Sequence, residues 1–195
     1  MEPGVHADLM AEGIRADGEA FRAMFDGRPR DATALLREAA RRFRASWEAA
    51  PPRSYGRLVA YLASSVLAGD GPEAAAYARA QLEGACDSPT SCYALAVAAL
   101  VEGDDAAAAA AAEAMRKGGD AFARAADALA ALAARDRARY GEAVAAIVAD
   151  FEARDAHRTG VPVADTALLM EALAGARGMA ARPRSPVMPE AAPTA

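Results

Sequence analysis

The chain has 195 residues and a net charge of −5, and alanine supplies most of its 54% hydrophobic residues while aromatic residues make up only 6%. This length suits one domain, and the high helix propensity of alanine favours an all-α fold. The acidic balance argues against a nucleic-acid binder, which needs a basic surface, and the absence of any run near the ~20 apolar residues of a spanning helix argues against a membrane protein.

The start of the chain and the distribution of charge add two expectations. The opening Met1-Glu2-Pro3-Gly4 lacks a basic region followed by an apolar one, so we expect no secretory leader and a cytoplasmic protein. Residues 28–57 hold eight arginines and three acids, whereas residues 58–127 hold four bases and ten acids. This asymmetry is compatible with pairing inside the molecule and equally with an external ligand.

The first two segments predict helices. Apolar residues at helical spacing predict a helix over residues 5–25, weakened by Gly13 and Gly18. A stronger pattern predicts a second helix over residues 31–49, with Arg37, Arg41 and Arg44 opposite its apolar seam. These three arginines could hold phosphate or carboxylate groups of a partner, or could form a solvated face that pairs with acids of the next hairpin.

Four further helices are predicted between residue 54 and a break in the chain at Gly118-Gly119. They cover residues 54–68, a segment from Pro72 that frays by Gly84, a segment capped by Ser88, and an alanine-rich segment capped by Asp104. Cys86 and Cys92 fall in the loop before the third of these. We expect both thiols to be free, since a redox pair or metal site needs closer spacing or further ligands.

The last third predicts three helices and a tail. Asp120 is expected to cap a seventh helix that runs to about Ala134, and Asp136 an eighth that ends near His157. A ninth is predicted over residues 162–174. The tail contains Pro183, Pro186, Pro189 and Pro193, so we expect an irregular segment that drapes over the body and is disordered after Glu190. The expected organisation is one domain over residues 1–178 and a proline-rich tail over 179–195.

A turn recurs at nearly constant spacing through the middle of the chain. Leu67-Ala68-Gly69-Asp70 is followed after 34 residues by Val101-Glu102-Gly103-Asp104 and after a further 32 by Ala133-Ala134-Arg135-Asp136. This is the length of one pair of antiparallel helices. With Ala74 and Ala108 after the first two turns, residues 54–152 resemble tetratricopeptide-like hairpins. The resemblance implies a right-handed solenoid of about nine helices.

In tetratricopeptide-like proteins the first helix of each hairpin lines a groove that binds a peptide or partner segment. Carried over by offset from the turns, this resemblance places Tyr93, Val97, Phe122 and Leu129 in the groove. These residues are apolar and lack the Asn, Lys and Arg clamps of that family. An apolar groove is usually filled, so either the ninth helix or the tail fills it from within, or an external peptide does.

The final third has a second resemblance. The segments Ala131-Leu132-Ala133-Ala134-Arg135-Asp136-Arg137-Ala138-Arg139-Tyr140, Leu173-Ala174-Gly175-Ala176-Arg177-Gly178 and Ser185-Pro186-Val187-Met188-Pro189 resemble the C-terminal part of the immunity protein 49 family. The bulky aromatic residues expected in the closing segment are missing. The resemblance implies a protein that neutralises a bacterial toxin encoded beside it.

Catalytic motifs are not apparent in the sequence. It has no phosphate-cradling Gly-rich loop, no Gly-x-Ser-x-Gly elbow and no His-Glu-x-x-His helix. His6 is expected to be solvated and His157 to serve a helix C-terminus, although His157 with Asp165 across a turn could act as a base. We therefore expect no cofactor and no metal.

Three functions follow, in order of preference. The first is a non-enzymatic module that binds a protein or peptide, as a monomer or homodimer. The second is an immunity protein for a cognate toxin. The third is a small-molecule binder or enzyme that uses His157 and Asp165.

Overall fold

The computed structural model describes residues 4–190 and is all-helical within them. A short 3-10 turn over Arg116–Gly118 follows the sixth helix, and the described residues contain no strand. The expected disorder after Glu190 concerns residues 191–195, which lie outside the described residues. The nine helices are α1 (Val5–Phe25), α2 (Pro29–Ala49), α3 (Tyr55–Leu67), α4 (Gly71–Leu82), α5 (Pro89–Glu102), α6 (Asp105–Met115), α7 (Asp120–Ala133), α8 (Arg137–Glu152) and α9 (Asp165–Ala176).

Most helix starts follow the expected capping chemistry. Ser88, Asp104 and Asp136 each accept a hydrogen bond from a first-turn backbone N–H, as predicted. The prediction for Asp120 was wrong, because Gly119 takes the cap position and Asp120 is the first residue of α7. The expected end of α8 near His157 was also wrong. The buried stripe of α8 stops at Phe151 and residues 152–156 are exposed, so no packing sustains further helical turns.

The three recurring turns share one backbone geometry. Gly69, Gly103 and Arg135 have φ values of 87°, 80° and 57°, in the left-handed region. The next residue in each turn donates its N–H to a carbonyl five positions earlier, at 2.8, 2.8 and 2.9 Å. This is the hydrogen bond of a Schellman motif, so the arginine in the third turn adopts a conformation that glycine adopts at lower cost.

The helices pack mainly on their neighbours in sequence, from α1 on α2 through to α7 on α8. In addition, α3 packs on α5 and α5 on α7. Helix α9 contacts α7 and α8, which precede it, and also α3, which lies about 100 residues earlier in the chain. One apolar core runs through all nine helices and includes Leu36, Leu62, Val97, Leu129 and Met170.

Two glycines of α1 allow close approach rather than weakening the helix. A Cβ atom on Gly13 would lie 2.5 Å from the Phe43 ring of α2, and one on Gly18 would lie 3.0 Å from the Thr159 carbonyl oxygen. The first distance is too short for a side chain, and the second is tight enough that the Thr159 carbonyl would have to move by a few tenths of an ångström. The glycines therefore bring α1 against α2 and against the loop between α8 and α9.

The two cysteines form a disulfide, so the expectation of free thiols was wrong. Cys86 is exposed in the loop before α5, Cys92 is buried in the first turns of α5, and their Cα atoms lie 4.6 Å apart. The turn at Glu83 and Gly84, both with positive φ, and the capping box at Ser88 fold the intervening loop back on the helix. This local folding, which spacing alone does not indicate, brings the sulfur atoms together.

After α9 the chain packs against the body without forming a helix. Met179, Val187 and Met188 are buried, and the Val187 carbonyl accepts a hydrogen bond from the Ala164 N–H at the start of α9. Residues 179–190 therefore return along α9. None of the helices in the described part of the chain has the length and apolar character needed to cross a membrane.

Candidate functional site

The expected groove residues are only partly accessible. Val97 and Leu129 are 1% and 0% exposed, and Tyr93 and Phe122 are half-buried and meet edge to face with ring centroids 6.5 Å apart. Burial, with a smaller contribution from the negative charge of Asp165, raises the pKa of Tyr93.

Helix α9 lies against α7, which carries two of the groove residues, Phe122 and Leu129. It packs on α3 and α7, and its own Leu168, Met170 and Leu173 are buried in the common core. Because Val97 and Leu129 are buried, a peptide could reach them only if the core around them opened. Of the alternatives left open by the sequence, filling from within has the support of these contacts.

The arginines of α2 remain largely in solvent but have carboxylate partners. Arg37 binds Asp70 in a two-pronged pair at 2.8 and 3.1 Å, and Arg41 binds Glu38 on its own helix. The side chains of Arg37 and Arg41 are 51% and 68% exposed. The pairing with Asp70 joins α2 to the turn before α4.

Arg44 extends the same set toward α4. Its guanidinium pairs with Glu48 at 3.0 Å, lies 3.9 Å from Glu73 and stacks over the Tyr77 ring at 4.2 Å from the centroid. Tyr77 in turn donates its hydroxyl to Glu48 at 3.0 Å. We call Arg37, Arg41 and Arg44 the arginine face.

His157 and Asp165 are not joined by a hydrogen bond. His157 lies in the loop after α8 and packs near Phe151 with ring centroids 6.1 Å apart, and its buried Nδ1 atom has no hydrogen-bond partner among residues 4–190. Asp165 lies 3.8 Å from Arg158 and accepts the Thr166 N–H. The two side chains that the sequence suggested as a dyad thus have separate surroundings.

His6 is also not a purely solvated residue, contrary to expectation. It lies within α1, where its Nδ1 accepts a hydrogen bond from Arg57 of α3 at 2.9 Å and its carbonyl accepts one from Ser46 of α2. The contact places three helices around one imidazole. His6, Ser46 and Arg57 are far apart in the sequence, which does not indicate that they meet.

A buried carboxylate on α1 was not identified from the sequence. Asp17 is 2% exposed, accepts a hydrogen bond from Ser64 of α3 at 2.8 Å and pairs with Arg158 at 3.0 Å. Desolvation raises the pKa of Asp17 to about 6, although Arg158 and Ser64 favour the charged form. The cluster joins α1, α3 and the loop between α8 and α9. Its one signal in the sequence is its spacing, which places an acid on the same face of α1 as Gly13, Phe21 and Met24.

Two buried charged side chains hold α9 in place. Arg177, with its side chain 6% exposed, pairs with Asp105 at 2.5 Å and donates to the carbonyl of Leu100 near the end of α5 at 2.9 Å. Glu171 accepts the hydroxyl of Tyr140 at 2.6 Å and the N–H groups of two tail residues. A lone carboxylate in the apolar segment 167–174 was the available signal for Glu171.

Within residues 4–190 no group of three or more His, Cys, Asp or Glu side chains is placed to hold a metal ion. No match to the chain was found among protein-family models, curated proteins or solved structures. The tetratricopeptide-like and immunity protein 49 resemblances therefore stay predictions.

Proposed function

We propose that this protein is a non-enzymatic module that binds an acidic segment of another protein through the arginine face of α2. The observation that carries the proposal is the difference between the two candidate surfaces. The groove positions are buried or half-buried, whereas Arg37 and Arg41 expose half or more of their side chains. Guanidinium groups on a rigid helix suit carboxylates in a fixed geometry.

The internal ion pairs of the arginine face are compatible with an external partner. An exposed pair contributes about 0–1 kcal/mol, since water screens both charges. A partner carboxylate can therefore share or replace Asp70 or Glu38 at small cost. The internal pairs also hold the guanidinium groups in position before binding, which lowers the entropy lost on association.

The finer architecture and setting belong to the same proposal. The common geometry of the turns at Gly69, Gly103 and Arg135 and the packing of α3 on α5 and α5 on α7 favour hairpins stacked as a right-handed solenoid. Residues 1–178 would then form the domain, α9 within it would fill the groove, and residues 179–195 would form the tail.

We propose a cytoplasmic location from the sequence. A disulfide is uncommon in that compartment, so the redox state of Cys86 and Cys92 in cells tests this part directly.

A toxin is one class of partner that fits the proposal, as the immunity protein 49 resemblance implies. The first two segments that carry the resemblance meet in space, since Arg177 donates to the Leu132 carbonyl at 3.4 Å and Arg137 donates to the Gly178 carbonyl. Co-expression with the product of the neighbouring gene tests this role. We expect cell survival to depend on the present chain if that product is a toxin it neutralises.

The arginine face can be tested by charge reversal. The partner is captured with the immobilised wild-type chain, identified by mass and purified, and its Kd is measured at about 50 mM salt. We expect R37E/R41E/R44E to weaken binding by about 100-fold or more, because three attractions become repulsions. Circular dichroism confirms that each variant is folded, and the milder R37Q/R41Q/R44Q serves if the reversal variant is not.

The matched control is R15E/R139E/R184E, which makes the same change in net charge at exposed arginines on other parts of the chain. We expect this variant to bind within about threefold of the wild type at the same salt. Equal weakening by both triple variants would mean that overall charge, not the arginine face, governs binding. Unchanged binding by the face variant would also refute the proposal.

A further inference from the structure

An open cavity of about 320 Å³ lies between the first turns of α3 and α5, away from the arginine face. It is lined on the α3 side by Arg53, Tyr55, Gly56 and Arg57, and on the α5 side by Ser88 and Thr90. The lining holds two guanidinium groups and no carboxylate. The cavity is therefore a basic pocket in a chain whose net charge is −5.

Arg57 is a half-buried charge with neutral partners. Its Nε donates to the Ser46 hydroxyl at 2.9 Å and its Nη2 to His6 Nδ1 at 2.9 Å. No carboxylate of residues 4–190 lies within ion-pair distance of its guanidinium. Partial burial of a charge without a counter-ion is costly, so this arginine points to an anion that the described residues do not supply.

The remaining lining adds donors around the same space. Arg53 lines the cavity with its side chain 67% exposed, and its Nη2 pairs with Asp87 at 3.1 Å. The Ser54 hydroxyl donates to the Pro51 carbonyl and does not cap α3, so the N–H groups of its first turn have no side-chain acceptor. Gly56 has no atom within 4 Å of the place a Cβ would take. A ligand could therefore approach the backbone here.

We propose that this cavity binds a small ligand through a phosphate group, with Arg57 as the main contact and Arg53 as the second. Two guanidinium groups and the first-turn backbone of α3 border this one cavity, and together they offer several donors to the oxygens of a phosphate group. The volume leaves room for a small group attached to the phosphate. This site does not depend on the proposed function.

Calorimetric titration of the full chain with inorganic phosphate, at constant ionic strength, tests the site. We expect saturable binding to one site by the wild type. R57Q removes the main contact. G56E places a carboxylate in the cavity, at a helix start where an acidic residue is tolerated. Each variant should weaken phosphate binding about tenfold or more. G56A adds only a methyl group in open space, and R139Q removes an exposed arginine of α8. Both controls should bind within about twofold of the wild type.

Three results would overturn the proposal. An equal loss in R139Q, or a titration that does not saturate, would mean that phosphate binds by general charge attraction. Tighter binding of acetate than of phosphate would assign the cavity to carboxylates. Binding by E2Q but not by the wild type would assign the cavity to the chain's own Glu2, which lies outside the described residues. G56E remains informative if R57Q does not fold, because Gly56 is exposed and makes no side-chain contact.

Discussion

Three buried charged residues each lie where separate parts of the chain meet. Asp17 joins α1 to α3 and to Arg158, Glu171 joins α9 to the tail, and Arg177 joins α9 to α5 and Asp105. Each has at least two partners, as buried charges require. In an alanine-rich core with few large side chains, these polar contacts specify how the helices and the tail are arranged.

Asp17 should make stability depend on pH. The folded pKa of about 6 lies above its ordinary value of 3.8, so the folded chain holds a proton between these values that the unfolded chain has lost. The stability that protonated Asp17 contributes is full below pH 3.8 and is lost as the pH rises through 6. The expected loss is about 3 kcal/mol between pH 3.5 and pH 7.5.

D17N removes this titration while keeping the shape of the side chain. Urea unfolding of both proteins across that pH range should show the free energy of unfolding of D17N gaining about 3 kcal/mol relative to the wild type as the pH rises. E19Q, at an exposed position of the same helix, is the control and should keep a nearly constant difference from the wild type. A constant difference for D17N as well would contradict the assigned pKa.

The sequence predicted most local features and few of the long-range polar ones. Serine and aspartate caps depend on a residue and its next three neighbours, so Ser88, Asp104 and Asp136 were predictable. The partners of Asp17, Arg57 and Arg177 are distant in sequence, and one sequence does not say which distant residue faces a buried charge. The disulfide was missed because a folded loop decides whether Cys86 meets Cys92.

At the level of the helices, small residues control how closely elements approach. Gly13 lies against the Phe43 ring, whereas a Cβ on Gly141 of α8 would meet no atom within 4 Å. The two positions have opposite expected responses to alanine, although both are glycines within helices. Helix propensity alone would predict that alanine stabilises the protein equally at both positions.

G13A and G141A therefore form a matched pair. We expect G13A to destabilise the protein by about 1–3 kcal/mol, because a methyl group forces the Phe43 ring to move, and G141A to stabilise it by up to about 1 kcal/mol. Urea unfolding measures both. Replacing Phe43 with leucine should recover part of the loss in G13A, as a double-mutant cycle would show. Equal stability of G13A and G141A would contradict the packing of α1 on α2.

At the scale of the whole molecule, the arrangement of α9 decides which surface is available. The turns at Gly69, Gly103 and Arg135 and the helices between them could be predicted from spacing. The placement of α9 could not, since an apolar helix of this length fits an internal groove and an external interface equally well in sequence. Its contacts with α3, α7 and α8, together with Arg177 and Glu171, favour the internal position.

Hydroxyl-radical footprinting of the complex with the purified partner tests the central claim most directly, because it reads the two surfaces in one experiment. Tyr77 lies beneath Arg44 on the arginine face, whereas Tyr93 and Phe122 are the half-buried rings of the groove. We predict that binding lowers the oxidation of Tyr77 and leaves Tyr93 and Phe122 unchanged. Protection of Tyr93 and Phe122 with Tyr77 unchanged would contradict the account.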